Sequence, residues 1–517
     1  MFPFFWKNTT ETRRLLGSAI LLIMVAVVVL LSFQRLQTVL VDHLSTRYDL
    51  GIESHNLATI RLLQQGKPIY AREFFDGVPF IITIYNPLYF FLTATLPQSE
   101  TNPFIAGRIV SLVAAVFTLT LFFLPGRFYG NSRGRLFSLL MVCLILLLPI
   151  YLECAVYMHP DMLAVFFSAL AVVTLEKPNG NTRVVLAALF AFLGFAAKQN
   201  FVAAMAACFL YLLFADRRRA ALFALATGAF LLSFFVLVQQ VWGGGYWFSI
   251  FFSVLRHPTF LSLAVERLSE LSRQPMFSLL VMLVAASLLY CLVSKKKTAL
   301  IDSPYFLYVE VAGVLPLISL GKVGGETNYY LEFAVAASLW IVFFFSRYEE
   351  ELVPKTVPVF LAALVLGAVL EVTLTEPSAY LLTKEQHNLY YTYDVPGKVK
   401  AEIEDLAPTD DRYLVLNAHV MLPFFRETYF NDPYNYFLMW NSGILDPKPM
   451  VQAVEKQVFS IILFAYNDNP YRIPGMYPIV SGPGTARVLK ALLEKYRLSK
   501  VGAFLYFTRL DFSHSKD

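Results

Sequence analysis

Residues 15–34 read LLGSAILLIMVAVVVLLSFQ, an apolar run that contains no charged side chain. About 20 apolar residues in a helix are long enough to cross the hydrocarbon core of a bilayer. Because no small-x-small cleavage site follows this run, we expect it to remain as a membrane span rather than to be removed as a signal peptide. Comparable runs recur at 104–124, 136–152, 160–176, 184–197, 201–215, 220–241, 277–294, 304–320, 329–346 and 355–375. The sequence therefore predicts a polytopic α-helical membrane protein with about eleven spans.

The composition also requires a lipid environment. Hydrophobic residues make up 57% of the 517-residue chain, charged residues only 15%, and the mean hydropathy is +0.57. Soluble domains carry about 25% charged residues, so these figures exclude a soluble enzyme, a disordered chain and a collagen-like chain. The net charge of +5 is too small and too scattered for a nucleic-acid-binding surface. The four cysteines lie in apolar stretches without metal-ligand spacing, and we expect them to pack within the membrane.

Basic residues in alternate loops predict the orientation, because cytoplasmic loops carry an excess of Lys and Arg. With the N-terminus inside, the basic loops are marked by Lys7, Arg13 and Arg14, by Arg127, Arg133 and Arg135, by Lys177 and Arg183, by Arg217, Arg218 and Arg219, by Lys295, Lys296 and Lys297, and by Arg347. The outer segments are then a long first loop at 36–103, the turn 157–161, and loops at 242–276 and 321–329. Basic residues at both ends of 184–215 favour a hairpin over one long helix, with Lys198 at its outer tip.

The chain after residue 375 has a different character. Charged residues, Pro and Asn become more frequent, and the apolar runs shorten. Segments 412–416, 458–465 and 501–508 have the pattern of strands, and 449–457 and 485–496 that of amphipathic helices. We therefore divide the chain into a membrane domain at 1–375 and a small extracytoplasmic α/β domain at 376–517.

Ionisable residues cluster at the predicted outer ends of the spans. They come from at least five separate loops or helix ends: Asp49, Glu53, Arg108, His159, Asp161, Lys198, Lys322 and Glu326. Charges at membrane depth are costly and are usually kept for function or paired. Their convergence indicates a site at the outer boundary, whereas a transporter would place such groups near the midplane.

Each acidic or basic candidate also has a purely structural interpretation. Asp49 and Glu53, four residues apart, would share one face of a helix and could point into one cavity, or they could belong to a solvated amphipathic helix. Asp161 could be an acid in the first turn of a helix. Lys198 could reach the interface as a snorkelling side chain, or neutralise Asp161.

A set of short motifs resembles the GT-C superfamily of polytopic glycosyltransferases, which use polyprenyl-phosphate sugars. The likeness is to bacterial relatives of the dolichyl-phosphate-mannose–protein mannosyltransferases and to lipid A aminoarabinose transferases, and it covers about 40–375. The motifs are 48–53 (YDLGIE), 65–70 (QGKPIY), 85–90 (YNPLYF), 106–108 (AGR), 159–161 (HPD), 197–199 (AKQ) and 328–331 (NYYL). Two positions depart from the family pattern: Leu50 follows Asp49 where an acid is common, and Asn86 stands where many members have a phosphate-binding Lys.

The resemblance implies transfer of a sugar from a lipid-phosphate donor to an acceptor hydroxyl, with inversion of the anomeric centre. Asp49 is the predicted base, with Asp161 as the second catalytic carboxylate. Cations must meet the leaving phosphate, for which Lys198, Arg108 and Lys322 are candidates.

The remaining predicted substrate contacts are Glu53, His159, Glu326, Asn328 and Tyr329. No spacing forms a dedicated metal site. Some superfamily members use a divalent cation, which here would bridge Asp49 or Asp161 to phosphate. The expected partners are a polyprenyl-phosphate sugar, a glycan, lipid or protein acceptor, and the membrane, without nucleic acid. The expected location is a bacterial inner membrane. A lipid-linked sugar flippase and a non-catalytic scaffold with a partner-binding outer domain remain the alternatives.

Overall fold

The computed structural model of the chain describes residues 9–44, 46, 49, 53–99, 101–128, 132–176, 180–253, 257–294, 300, 303–323, 325–374, 398, 400–401, 412–416, 429–465, 482–501 and 504–509. The basic loop 295–297 and most of 375–428, which the sequence assigns to the start of the outer domain, lie outside these residues.

The described residues are mostly helical. In chain order the α-helices are α1 (Thr9–Val39), α2 (Glu53–Gln64), α3 (Glu73–Asp76), α4 (Leu88–Ala94), α5 (Ile105–Leu121), α6 (Phe123–Phe128), α7 (Ser132–Leu146), α8 (Pro149–Val156), α9 (Asp161–Thr174), α10 (Asn181–Ala197), α11 (Ala203–Ala215), α12 (Arg217–Trp242), α13 (Gly244–Trp247), α14 (Leu261–Arg273), α15 (Pro275–Val293), α16 (Pro304–Leu320), α17 (Leu331–Arg347), α18 (Glu349–Leu374), α19 (Pro433–Asn441), α20 (Lys448–Glu455) and α21 (Pro483–Lys495). Short π-helical segments occur at Leu40–Leu44 and Phe248–Phe252, and a 3-10 helix at Thr327–Tyr330 leads into α17.

Helices lie on all of the predicted apolar runs. By length and hydropathy, five helices of the described ranges can each cross a bilayer, and α7 with α8 makes a sixth if the bent pair is one span. The other apolar helices, including α9, α10, α11 and α16, contain 10–17 residues. The helical membrane architecture is therefore present, while the number of about eleven spans stays a prediction.

The bend between α7 and α8 positions the turn 157–160, which leads into α9. The two helices meet at 76°. Pro149 is the first residue of α8, and Leu148 before it is extended. Proline has no amide proton to continue the hydrogen bonding of α7 and disfavours helical geometry at the preceding residue. After α8 the chain turns back at 157–160 and enters α9.

Helix α17 forms the centre of the helical bundle. It is buried along almost its whole length and packs against α7, α9, α15 and α16. Helices at the periphery instead expose large apolar side chains, such as Leu225 and Leu232 on α12 and Ile318 on α16. Extended apolar surface of this kind is costly in water and suits contact with lipid.

The hairpin predicted around Lys198 is present. Helix α10 ends at Ala197, α11 begins at Ala203, and both pack against α9. Lys198 is extended at the end of α10, and its side chain is buried in the turn rather than exposed at the tip.

The C-terminal part contains a four-stranded sheet in the order β1-β2-β4-β3, formed by β1 (Tyr413–Leu416), β2 (Ile461–Ala465), β3 (Tyr496–Val501) and β4 (Phe504–Arg509). β1 is parallel to β2, and the other pairs are antiparallel. The predicted strands coincide with β1, β2 and β4, and the predicted helices with α20 and α21. β3 and α19 were not predicted, since β3 follows α21 without a turn and carries polar residues.

This C-terminal sheet and its helices share a core with the first outer loop. Phe75, Phe80 and Ile82 of the loop are buried among apolar side chains of the C-terminal part. The amide of Phe80 donates to Tyr429 O at 2.7 Å, and Asn431 exchanges hydrogen bonds with both the amide and the carbonyl of Ile82, at 2.9 and 2.8 Å. These segments, which the sequence assigns to separate domains, are packed together in the structure.

Candidate active site

The turn 157–161 is held in place from two sides. The Met158 amide donates to Glu53 Oε1 at 2.7 Å, and the Met158 carbonyl accepts from Asn56 Nδ2 at 2.8 Å. Helix α5 approaches the turn closely at Gly107, where a Cβ atom would collide with the Met158 side chain. The turn therefore fixes His159 and Asp161 relative to α2 and α5.

Asp161 and Lys198 form a buried ion pair. Lys198 Nζ donates to Asp161 Oδ1 at 2.7 Å and to Oδ2 at 2.9 Å. Both side chains are almost completely removed from solvent. Of the structural interpretations left open by the sequence, these contacts favour neutralisation of Asp161 by Lys198.

His159 extends this pair to Tyr85. Its Nδ1 contacts Asp161 Oδ2, and its Nε2 lies 2.8 Å from Tyr85 Oη. Tyr85 packs edge-on against the His159 ring, and Lys198 Nζ lies 4.9 Å from the centre of the Tyr85 ring. Burial lowers the pKa of His159, although the Asp161 carboxylate opposes this shift. The result is a chain of polar contacts, Tyr85–His159–Asp161–Lys198, drawn from three separate outer segments.

Glu53 and Arg108 form a second buried pair on the other side of the turn. Arg108 Nε donates to Glu53 Oε1 at 2.8 Å, and Nη2 donates to Oε2 at 2.5 Å. Arg108 Nη1 also donates to the carbonyls of His43 and Thr46, at 2.8 and 2.5 Å. Arg108 is fully buried, and every guanidinium nitrogen has a protein acceptor. These contacts indicate that Arg108 holds the first outer loop in place rather than binds phosphate.

Asp49 does not share a helical face with Glu53, contrary to the sequence-based expectation. It precedes α2, which begins at Glu53. Its Oδ1 accepts the Glu53 amide and its Oδ2 the Ser54 amide, both at 2.9 Å. These contacts satisfy two of the free amides at the start of α2, the usual work of an N-terminal cap. The catalytic role of Asp49 stays a prediction beside this structural role.

Asn86, at the position where relatives carry a Lys, has a structural function here. Its Nδ2 donates to Phe195 O at 2.7 Å, and its Oδ1 accepts from Tyr246 Oη at 2.7 Å. It therefore joins the first outer loop to the end of α10 and to α13. Asn86 therefore does not supply the cation that the family resemblance assigns to this position.

The loop at 321–329, called the late outer loop below, carries several of the predicted substrate contacts. Tyr329 lies with its ring centre 5.8 Å from Lys198 Nζ, next to the Asp161 cluster. Asn328 Oδ1 is buried and has no hydrogen-bond partner among the described residues. The Glu326 side chain is exposed. Desolvation by the surrounding protein raises its pKa, and the charge of Arg267 opposes this shift.

Lys322 and Arg267 place two cations close to the loop 321–329. Lys322 is partly exposed, and partial burial lowers its pKa. Arg267, on α14, is buried and donates through Nη1 to the carbonyls of Leu320 and Lys322. Its Nη2 has no acceptor among the residues that the structure describes. The charge of Arg267 acts on both Glu326 and Tyr329.

Sequence reasoning missed three contributions to this region. Tyr85 lies inside one of the short motifs, but only its contact with His159 distinguishes it from other loop tyrosines. Arg267 lies on the amphipathic helix α14, where no local feature of the sequence marks its charge. Asp432, in the N-terminal cap of α19, lies close enough to Tyr85 for its charge to help raise the pKa of that phenol. No local signal in the sequence connects 432 with 85.

The carboxylates at the site do not fit a divalent cation as they are arranged. Both oxygens of Asp161 are used by Lys198 and His159, and both oxygens of Asp49 accept amides. Within the described ranges, no three His, Cys, Asp or Glu side chains are grouped as metal ligands. The bridging cation considered from the sequence therefore has no ready ligand set in this arrangement.

Comparison with known proteins identifies the fold. Sequence comparison matches the chain to no protein-family model and to no curated protein. Among solved structures, ArnT from Cupriavidus metallidurans bound to undecaprenyl phosphate matches with a TM-score of 0.57 at 12% identity, over 96% of this chain and 99% of that chain. The oligosaccharyltransferase AglB from Archaeoglobus fulgidus, in complex with an inhibitory peptide and a dolichol-phosphate, matches with a TM-score of 0.54 at 12% identity, over 95% of this chain and 74% of that chain. Both are GT-C glycosyltransferases. The chain has the GT-C fold. The GT-C fold agrees with the motif resemblance, and at this identity it establishes architecture rather than activity.

Proposed function

We propose that the chain is a membrane glycosyltransferase that transfers a sugar from a polyprenyl-phosphate donor to an acceptor hydroxyl. The observation that carries this proposal is the buried Tyr85–His159–Asp161–Lys198 cluster at the meeting point of three outer segments in a GT-C fold. A structural protein has little reason to retain a buried charged cluster that contains a histidine, since such groups are costly to desolvate.

The leaving lipid phosphate needs positive charge. Lys198 is buried against Asp161, and Arg108 against Glu53, so neither is free to meet a phosphate in this arrangement. Lys322 is partly exposed, and Arg267 Nη2 has no acceptor among the residues that the structure describes. We assign Lys322 and Arg267 to the phosphate, with stabilisation that grows as the phosphate departs with a full charge.

The other predicted residues have roles that follow from their positions. Glu326, Asn328 and Tyr329 belong to the loop that approaches the cluster at Tyr329, and they would contact sugar or acceptor hydroxyls. Glu53 with Arg108 positions the turn 157–161. Asp49 and Asp161 stay the proposed catalytic carboxylates, Asp161 acting through its contacts with His159 and Lys198.

The reaction is assigned to the outer face of the membrane, with inversion at the anomeric carbon by direct displacement. The basic residues of alternate loops support this sidedness, because they place the site-bearing loops opposite the cytoplasm. The same assignment gives an inner-membrane protein with a cytoplasmic N-terminus and an outer C-terminal domain. The apolar faces of the peripheral helices suit the polyprenyl tail.

The proposal is tested by lipid analysis of a strain that lacks the chain. Mass spectrometry of its lipid extract should reveal an accumulated polyprenyl-phosphate-linked sugar, which disappears when the wild-type chain is restored. Restoration with Lys322→Ala/Arg267→Ala should leave the lipid accumulated. Unchanged lipid-linked sugars in the deletion strain would contradict the proposal.

A further inference from the structure

The cluster around Asp161 differs in accessibility from one member to the next. His159, Asp161 and Lys198 are essentially buried, whereas Tyr85 retains accessible surface. Tyr85 is therefore the member of the cluster that a substrate can contact from outside. The charges of Glu326 and Asp432 act on Tyr85 as well, which places the phenol among groups of the late outer loop and of the C-terminal part.

The contacts define which way hydrogen bonds run along the cluster. Asp161 is held as a carboxylate by Lys198, so it accepts a hydrogen bond from His159 Nδ1–H. The proton on Nδ1 leaves Nε2 as an acceptor, and its partner at 2.8 Å is Tyr85 Oη. The phenol consequently donates its proton to His159, and the lone pairs of Tyr85 Oη are left for another donor.

We propose that Tyr85 and His159 form a proton relay that accepts the proton of the acceptor hydroxyl. As the acceptor oxygen bonds to the anomeric carbon, its proton passes to Tyr85 Oη and the Tyr85 proton passes to His159 Nε2. The bond from the anomeric carbon to the phosphate oxygen breaks, and its electron pair leaves with the lipid phosphate. Asp161 stabilises the imidazolium that forms, and the proton returns through Tyr85 to water after product release.

The charged groups around His159 suit this role. Asp161 at the start of α9 favours a protonated ring, while Lys198 from the α10–α11 turn and burial oppose it, and together they lower the pKa of His159. The ring is therefore neutral before reaction at pH 7. Burial and the nearby carboxylates raise the pKa of Tyr85, so the phenol passes a proton on without ionising at rest.

This inference rests on the proposed glycosyl transfer and deepens it by naming the proton acceptor. The proton acceptor is then the pair Tyr85 and His159 and not Asp49, the base predicted from the sequence. Asp49 has both oxygens engaged at the start of α2, whereas the relay ends in a ring nitrogen whose protonated form a carboxylate stabilises.

The test uses the full chain purified in detergent and mixed with a detergent extract of membranes from the deletion strain, which contains donor and acceptor. Release of undecaprenyl phosphate is followed by mass spectrometry. Tyr85→Phe and His159→Gln should each slow release by about 10²–10⁴-fold, the usual value of a positioned proton acceptor. Tyr151→Phe, which removes a buried phenol bonded to Ala115 O away from the site, is the matched control and should keep the wild-type rate.

Two further readouts distinguish a relay from a structural role. The wild-type rate should fall as acidic pH protonates His159, and this acidic limb should lie below the ordinary pKa of histidine, because burial lowers the pKa of the ring. His159→Gln should lose this limb. In mixtures of H₂O and D₂O, the wild-type rate should decrease non-linearly with the deuterium fraction, as expected when two protons move in the same step. The relay is overturned if Tyr85→Phe and His159→Gln each keep more than a tenth of the wild-type rate while Asp49→Asn abolishes release. An inactive wild-type chain would instead overturn the proposed function itself.

Discussion

The Glu53–Arg108 pair allows a quantitative test of how the first outer loop is held over the site. Arg108→Met keeps most of the side-chain volume but removes a buried charge that makes hydrogen bonds to Glu53, His43 O and Thr46 O. Glu53 would then remain as a buried carboxylate that still accepts the Met158 amide at 2.7 Å. Breaking a buried ion pair from one side costs about 3–5 kcal/mol in the free energy of unfolding.

Companion variants isolate the interaction itself. Glu53→Gln keeps an acceptor for the Met158 amide and loses the charge, so we expect a smaller cost of about 1.5–3 kcal/mol. Glu53→Gln/Arg108→Met should cost less than the sum of the single changes, by a coupling energy of about 0.5–3 kcal/mol. The exposed pair of Arg219 and Asp216, at 3.4 Å, supplies the control, because Arg219→Met should cost less than about 1 kcal/mol.

The assay is reversible unfolding of the purified chain in mixed detergent micelles, with the fraction folded followed by circular dichroism. The reasoning is refuted if Arg108→Met and Arg219→Met destabilise the chain equally, or if the two site substitutions are additive. Either result would mean that the pair is solvated rather than buried beneath the outer loop.

Three other substitutions test neighbouring assignments. Asp49→Asn keeps only one of the two acceptors at the start of α2 and turns an NH₂ group towards the other amide, so it should destabilise the chain by about 1–3 kcal/mol, and retention of more than about a tenth of the turnover would remove Asp49 as the base. Lys198→Met should destabilise the chain by about 3–5 kcal/mol by leaving Asp161 uncompensated, whereas Lys198→Met/Asp161→Asn should recover most of that loss; failure to recover would favour a direct role of Lys198 with the donor. A cysteine at Asn328 should react with a membrane-impermeant thiol reagent in spheroplasts and one at Lys296 should not, and labelling at Lys296 alone would reverse the orientation.

The helical architecture was predictable because membrane-length apolar runs are a strong local signal. Even the break at Lys198 could be found, since basic residues at both ends of 184–215 require the chain to turn back. The bend at Pro149 was not predicted. The run 136–152 was read as one straight span, although proline in such a run is a known reason for a break.

The site was only partly predictable, because its pairings join distant parts of the chain. The sequence named Glu53, Arg108, Asp161 and Lys198 individually, but nothing local could show which acid meets which base. The contact between Asn431 and Ile82 joins residues 349 positions apart, and no periodicity reports such a distance. Contacts of this kind decide which candidate cations are already neutralised and which remain for a ligand.

The measurement that most directly tests the central claim is the fate of the lipid-linked sugar in detergent solution, where no sealed membrane exists. The purified wild-type chain, added to the deletion-strain extract, should release the polyprenyl phosphate and place the sugar on an acceptor in equal amounts. A flippase has nothing to transport under these conditions, and a scaffold has no bond to break. A lipid-linked sugar that remains intact in the presence of the folded chain would contradict the assignment as a glycosyltransferase.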